Sequence, residues 1–204
     1  MTRIILASQS PRRKQLLEAM GVEFETIPSN FDEYLDDGRD PELVAKELAL
    51  GKALDVAERY PEALVIGSDT IVTVDGHQLG KPESRADALG MLRDVMQAPN
   101  YVTTGIAVVG IKNNIRITKA ATATVLFNGY DEEQIQAYVA TDDPLDKAGG
   151  YAVQHPLIQP MLRQIEGRKD IIVGFPTDIV ASLLTQCGVM TEPLTEATIT
   201  SIIH

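Results

Sequence analysis

Cysteine is nearly missing from this 204-residue chain: Cys187 stands alone, so no disulfide can form within it. Histidine is almost as scarce. His77, His155 and His204 are too widely scattered to suggest a histidine-based zinc site. No apolar run is long enough to span a bilayer and no signal-peptide pattern opens at Met1. A cytoplasmic protein without a membrane partner is therefore expected. Basic charge is in deficit, with 18 Lys and Arg against 29 Asp and Glu, a net charge of −11. That balance argues against non-specific association with nucleic acid. Phosphate-loop signatures are missing too: there is no Gly-x-x-x-x-Gly-Lys-Ser/Thr, and no Gly-x-Gly-x-x-Gly follows the first strand pattern. An acidic chain that binds a phosphate ester must gather its few cations at the site, so the position of each one is informative.

The cations gather early. Ile4–Leu6 reads as a buried strand, followed by a turn bearing Ser8 and Ser10. Ser10 stands at an N-cap position with Pro11 at the first helical position, and Gly21 stops the helix. Arg12, Arg13 and Lys14 occupy the first turn, where the helix dipole disfavours cations. Free backbone N–H groups, two hydroxyls and two guanidinium groups together suit an anion. A solvent-exposed basic helix face is the alternative.

The remaining pattern is α/β. Glu23–Ile27 alternates like a strand, and an acidic loop follows over Pro28–Arg39. Asp40-Pro41 opens a long helix that runs to about Tyr60. Ala63–Gly67 and Thr70–Val74 read as strand, with a hairpin turn at Asp75-Gly76. Ser84 caps a helix reaching Met96, with Asp87 placed as in a capping box. Tyr101–Ile111 and Ile115–Phe127 form two strand patterns around Asn113-Asn114. A helix is expected from Asp131 to Ala140. A glycine-containing loop over Asp146–Gln154 leads into a strand, and Met161–Ile165 and Ile171–Val173 read as strands. The last regular helix spans Thr177–Gln186. The expected architecture is a mixed twisted sheet with flanking helices. Residues 1–188 form one domain, and 189–204 a tail that is either an extension or a docked helix.

Three further segments carry candidate chemistry. Asp69, in Gly67-Ser68-Asp69-Thr70, follows a buried strand, where open α/β sheets bind ligands. It is equally a turn aspartate bonded to nearby backbone. Lys81, between Gly80 and Pro82, offers a point charge or is an ordinary loop lysine. Gln154 has the donor and acceptor needed to read a base edge, or is a polar residue of a half-exposed strand.

Taken in order, Ser8-Gln9-Ser10-Pro11-Arg12-Arg13, Gly67-Ser68-Asp69-Thr70, Leu79-Gly80-Lys81-Pro82, Thr104-Gly105-Ile106, Asp146–Gln154 and Val173-Gly174-Phe175-Pro176 resemble the Maf proteins. These are house-cleaning nucleoside triphosphate pyrophosphatases, and the resemblance runs from about Ile4 to Leu184. It implies a Maf/ITPase-like fold with a cleft between two lobes. The activity implied is hydrolysis of a nucleoside triphosphate to monophosphate and pyrophosphate with Mg²⁺ or Mn²⁺. Asp69 matches the family's catalytic carboxylate, and Glu33 a second carboxylate associated with the metal. Ser8, Ser10, Arg13, Lys52 and Lys81 match phosphate-binding positions. Arg12, Thr70 and Gln154 match the specificity set of the dTTP/UTP branch, whereas Trp, Gln and Glu mark the 7-methyl-GTP branch. A homodimer is compatible with the resemblance, and a non-catalytic nucleotide-sensing regulator of cell division is the rival function. The chain departs from the family pattern at His155-Pro156, at Gly167-Arg168-Lys169-Asp170 and at Gly51, where Glu is usual. The first two departures are expected to surround the base-binding wall.

Overall fold

A computed structural model describes residues 2–203; Met1 and His204 lie outside it. Strands β1 (Ile4–Leu6), β2 (Glu25–Thr26), β3 (Leu64–Val74), β4 (His77–Leu79), β5 (Asn100–Gly110), β6 (Ile115–Phe127) and β7 (Leu162–Glu166) form one mixed sheet. Its order is β2-β1-β3-β5-β6-β7, with β4 paired to β3 off that path. The long strands β3, β5 and β6 are antiparallel neighbours, with hairpins joining β3 to β4 and β5 to β6, while β1 and β2 add in parallel. Both hairpin signals are real: Asp75, Gly76 and Asn114 take positive φ, as tight turns between twisted strands require.

The edge of β3 positions the site. β1 pairs with Leu64–Ile66 and β4 with Val72–Val74, on opposite ends of the same strand. Neither of these strands pairs with residues 67–71, and the gap between them opens a cleft. Asp69 therefore stands in the middle of an 11-residue strand rather than after its end. The break suggested by Gly67-Ser68-Asp69 is absent because each residue is compensated. Ser68 is buried and donates to the Gly174 carbonyl at 2.7 Å, and Asp69 meets Lys52.

Helix α2 (Pro41–Arg59) covers one face of the sheet. Its Ala45, Ala49 and Ala53 are fully buried over Gly67 and Gly105. A Cβ on Gly67 would collide with the Ala49 carbonyl oxygen, and one on Gly105 with that of Ala45. The opposite face carries α1 (Pro11–Ala19), α3 (Arg85–Val95), α4 (Glu132–Val139), α5 (Lys169–Ile172), α6 (Thr177–Gln186) and α7 (Glu196–Ile203). Leu6, Leu16, Leu17, Ile66, Val108, Phe175 and Leu183 centre one core there. Val72, Leu92, Val125, Ile135 and Tyr138 centre another.

Three local expectations are corrected, and the open alternative for the tail is decided. The strand over Glu23–Ile27 contracts to Glu25–Thr26. Ile171–Val173 lies in and just after α5, because a short buried apolar run has no period that separates helix from strand. Gln154 lies in a turn, not in a strand following the glycine loop. In the tail, residues 196–203 form a helix whose Ile199 and Ile203 are buried in the core beside Leu16 and Leu17.

Because α2 touches backbone at Gly67 and Gly105, Gly105→Ala is expected to cost about 3 kcal/mol, the upper end of overpacking. The thermal midpoint should fall by roughly 6–12 °C for a chain of this size. A midpoint within about 2 °C of the unmodified protein would contradict this packing.

Candidate functional site

The cleft is a cavity of about 820 Å³. One end is polar and is assembled from both faces of the sheet. Lys52 reaches it from α2, and its Nζ lies 2.5 Å from Asp69 Oδ1 and 2.6 Å from Glu33 Oε1. Lys81 Nζ, just past β4, is 3.8 Å from the other Glu33 oxygen. Arg13 comes from α1 on the opposite face. Its Nη1 donates to the Ser68 carbonyl at 2.9 Å and its Nη2 to Thr70 Oγ1 at 3.2 Å.

Each of these side chains has a local reason to be there. Ser10 caps α1 as expected, its hydroxyl accepting from the Arg13 N–H, and Ser8 Oγ accepts from the Ser10 N–H at 3.1 Å. This tight turn points α1 by its first residues into the cleft. Glu33 is delivered by the acidic loop, which is tied along α2 and β4. Within that loop the Asn30 N–H donates to Asp55, Tyr34 donates to Glu47, and Asp36 and Asp37 accept from or donate to Gln78. The tip of the Phe31 ring lies against Gly51, so close that any Cβ there would strike it. That contact explains a helix-interior glycine that otherwise costs about 1 kcal/mol relative to alanine.

Electrostatics sets the carboxylates apart. Burial raises the Asp69 carboxyl above its ordinary value of 3.8, outweighing the lowering by Lys52 and Arg13, and the nearby Glu33 raises it too. Burial pushes Glu33 the same way, but its bond to Lys52 and the charges of Lys52, Lys81 and Arg13 hold it below 4.5. Burial also lowers the Arg13 guanidinium. The two carboxyls at this one site are thus shifted in opposite directions.

The structure brings Ser8, Ser10, Arg12, Arg13, Glu33, Lys52, Asp69, Thr70 and Lys81 to the cavity lining. Gln154 is not in that lining. The Thr70 hydroxyl is committed internally: it accepts from Arg13 and shares a 2.9 Å hydrogen bond with Thr104, whose hydroxyl donates to the Ile171 carbonyl. His155 is not a cleft residue but packs its ring on Tyr138, with centroids 4.5 Å apart. Arg168 and Lys169 are likewise absent from the lining, although Ile172 and Val173, just beyond them, belong to it.

Residue types alone did not disclose the apolar part of the cleft lining: Val72, Val102 and Tyr151 share one core cluster with Ile172 packed against it, while Phe31 lies apart, beside Gly51 and Leu48. The Tyr151 hydroxyl is buried without a protein hydrogen-bond partner among the described residues. Gly51 was the one available signal, since a helix-interior glycine marks a close neighbour. Among the described residues no three His, Cys, Asp or Glu side chains gather into a metal cage. Asp69 and Glu33 nevertheless offer hard oxygen donors facing an open cavity. This suits Mg²⁺ or Mn²⁺, which keep one or two protein carboxylates and take other oxygens from phosphates and water.

Fold and site define an α/β protein whose cleft gathers cations around a buried carboxylate. The chain belongs to the Maf family: the family's model, described as Maf-like protein, matches residues 3–187. The chain is 42% identical over 185 residues to a dTTP/UTP pyrophosphatase of Geotalea uraniireducens (strain Rf4), covering 91% of this chain and 95% of that one. It is 38% identical over 189 residues to a dTTP/UTP pyrophosphatase of Syntrophus aciditrophicus (strain SB), covering 93% and 92%. The solved structure of the Staphylococcus aureus Ham1 protein is similar at 14% identity, with a TM-score of 0.48 over 91% of this chain and 99% of that one.

Asp69 is expected to titrate above 3.8, and replacing Lys52 with Met should move it higher still, because Lys52 lowers it. A carboxyl raised on folding stabilises the fold through its protonated form, fully so below the unfolded pKa. That contribution is lost as pH rises through the folded value. Side-chain carboxyl NMR reads both shifts, and an Asp69 that titrates below 3.8 would contradict the geometry.

Proposed function

We propose that this chain hydrolyses dTTP and UTP, and modified pyrimidine nucleoside triphosphates, to the monophosphate and pyrophosphate. The observation that carries the reading is the convergence of Arg13, Lys52 and Lys81 around Asp69 and Glu33 in one cleft. The names of the relatives, dTTP/UTP pyrophosphatase, support the same reaction and give no support to a non-catalytic sensor.

In this reading the triphosphate lies along Ser8, Ser10, Arg13, Lys52 and Lys81, and the base lies toward the apolar lining of Val72, Val102 and Tyr151. Water attacks the α-phosphorus: its oxygen forms the new P–O bond while the bond to the bridging oxygen of pyrophosphate breaks. Asp69 takes the proton from the water, a role that its raised affinity for protons suits. Arg13, Lys52 and Lys81 stabilise the charge that accumulates on the departing pyrophosphate. Asp69 and Glu33 would hold a divalent cation, Mg²⁺ or Mn²⁺, which when bound offsets triphosphate charge and orients it. The ion pairs from Lys52 to both carboxylates keep these two acids together before substrate arrives. Arg12 reads the base or ribose from the lining, Thr70 contributes through its hydrogen bond to Arg13, and Gln154 acts from the adjoining turn. The protein acts in the cytoplasm, and a dimer is compatible with the reading.

The test is a panel of nucleoside triphosphates with Mg²⁺, assayed separately for pyrophosphate and orthophosphate. Pyrophosphate from dTTP and UTP is expected, with little from 7-methyl-GTP. Asp69→Asn should cost roughly a thousandfold in turnover, the range of a positioned general base, while UTP still binds. Orthophosphate as the product, or an Asp69→Asn variant at near-normal rate, would refute the mechanism.

A further inference from the structure

The family match ends at residue 187, yet the chain continues over the surface and returns to the cleft-forming elements. Gly188 takes positive φ and the Val189 N–H closes on the Leu184 carbonyl, ending α6. The segment then crosses to α1. The Glu192 N–H donates to the Met20 carbonyl at 2.9 Å, satisfying one of the carbonyls that a helix C-terminus leaves open. Helix α7 follows, with Ile199 fully buried and Ile203 nearly so, in the cluster that holds Leu16, Leu17 and Met20.

Helix α1 needs such support. It is nine residues long, buries only Leu16 and Leu17, and has no acidic residue in its first turn. Helices this short are marginal alone, and Arg12, Arg13 and Lys14 oppose its dipole. Helix α7 also meets α5. Lys169 Nζ donates to Thr200 Oγ1 at 3.4 Å, and Arg168 lies 3.8 Å from Glu196. Helix α5 in turn supplies the Ile171 carbonyl that accepts from Thr104, and Thr104 joins Thr70, the acceptor for Arg13. Two routes from α7 thus converge on one guanidinium: through α1, which carries Arg13, and through α5, which anchors the hydroxyl pair that orients it.

We infer that residues 190–203 are a positioning element for Arg13, with α7 bracing α1 and α5 so that the guanidinium is set before nucleotide binds. This rests on the reading of the cleft as a nucleoside triphosphate site. Ile199 is a positioning residue in this scheme and touches no reacting atom.

The test compares Ile199→Ala, Ile199→Val and a chain shortened after Val189 with the unmodified chain, each assayed with UTP and Mg²⁺ well below its own melting temperature. Ile135→Ala on α4, in the other core cluster and outside the cleft lining, controls for general loss of stability. Ile199→Ala is expected to raise KM for UTP by about tenfold and to lower kcat as well, because Arg13 both holds the triphosphate and stabilises the departing pyrophosphate. Ile199→Val should restore KM, and the shortened chain should exceed the alanine variant. If the shortened chain does not fold, the alanine and valine pair decides. An unchanged KM in Ile199→Ala, or an equal rise in Ile135→Ala, would overturn the brace while leaving the nucleotide reading intact. Failure of the unmodified chain to hydrolyse UTP would overturn that reading, and this inference with it.

Discussion

The close approach of α2 to the sheet is the constraint on which the site depends. Three buried alanines, Ala45, Ala49 and Ala53, rest against two strand glycines, Gly67 and Gly105, at a distance that leaves no room for a Cβ. Asp69 lies two residues beyond Gly67 on β3 and directly opposite Gly105 on β5. Lys52 lies one residue before Ala53 on α2. The smallest side chains in the molecule thus bring a helix ammonium within hydrogen-bond reach of a strand carboxylate. A larger residue at either glycine would lift α2 and separate the pair. Interiors pack too densely to absorb such a displacement elsewhere.

From that contact the cleft follows. Because β1 and β4 occupy opposite ends of one edge of β3, the strand is left open just where Asp69 and Thr70 sit. Cations enter that opening from different layers: Lys52 from one face, Arg13 from the other, and Lys81 from beyond β4. An overall charge of −11 makes this local gathering of cations stand out against its surroundings. The same burial that favours protonation of Asp69 strengthens its interaction with each cation, since screening by water is weak there. A polar, charged part and an apolar part in one cavity match the two ends of a nucleotide.

Much of this was legible from residue order. The cap at Ser10, the long helix from Pro41, the paired hairpins and the gathering of Ser8, Arg13, Lys52, Asp69 and Lys81 all rest on local chemistry or ordered motifs. What was misread depends on distant partners. Gly67-Ser68-Asp69 looks like a turn because its polarity is compensated only by Gly174 and Lys52, far away in sequence. Ile171–Val173 looks like a strand because three apolar residues carry no period. The roles of Phe31 and Tyr151 in the cleft come from packing between segments that no spacing rule connects.

The most direct test of the central claim is a crystal structure with Mg²⁺ and a UTP analogue whose α–β bridging oxygen is replaced by an uncleavable imido group. The account expects the phosphates within hydrogen-bond reach of Arg13, Lys52 and Lys81, the α-phosphorus facing Asp69, and the base at the end lined by Val72, Val102 and Tyr151. A triphosphate bound away from Asp69, or a cleft that stays free of nucleotide while the analogue binds elsewhere, would contradict it.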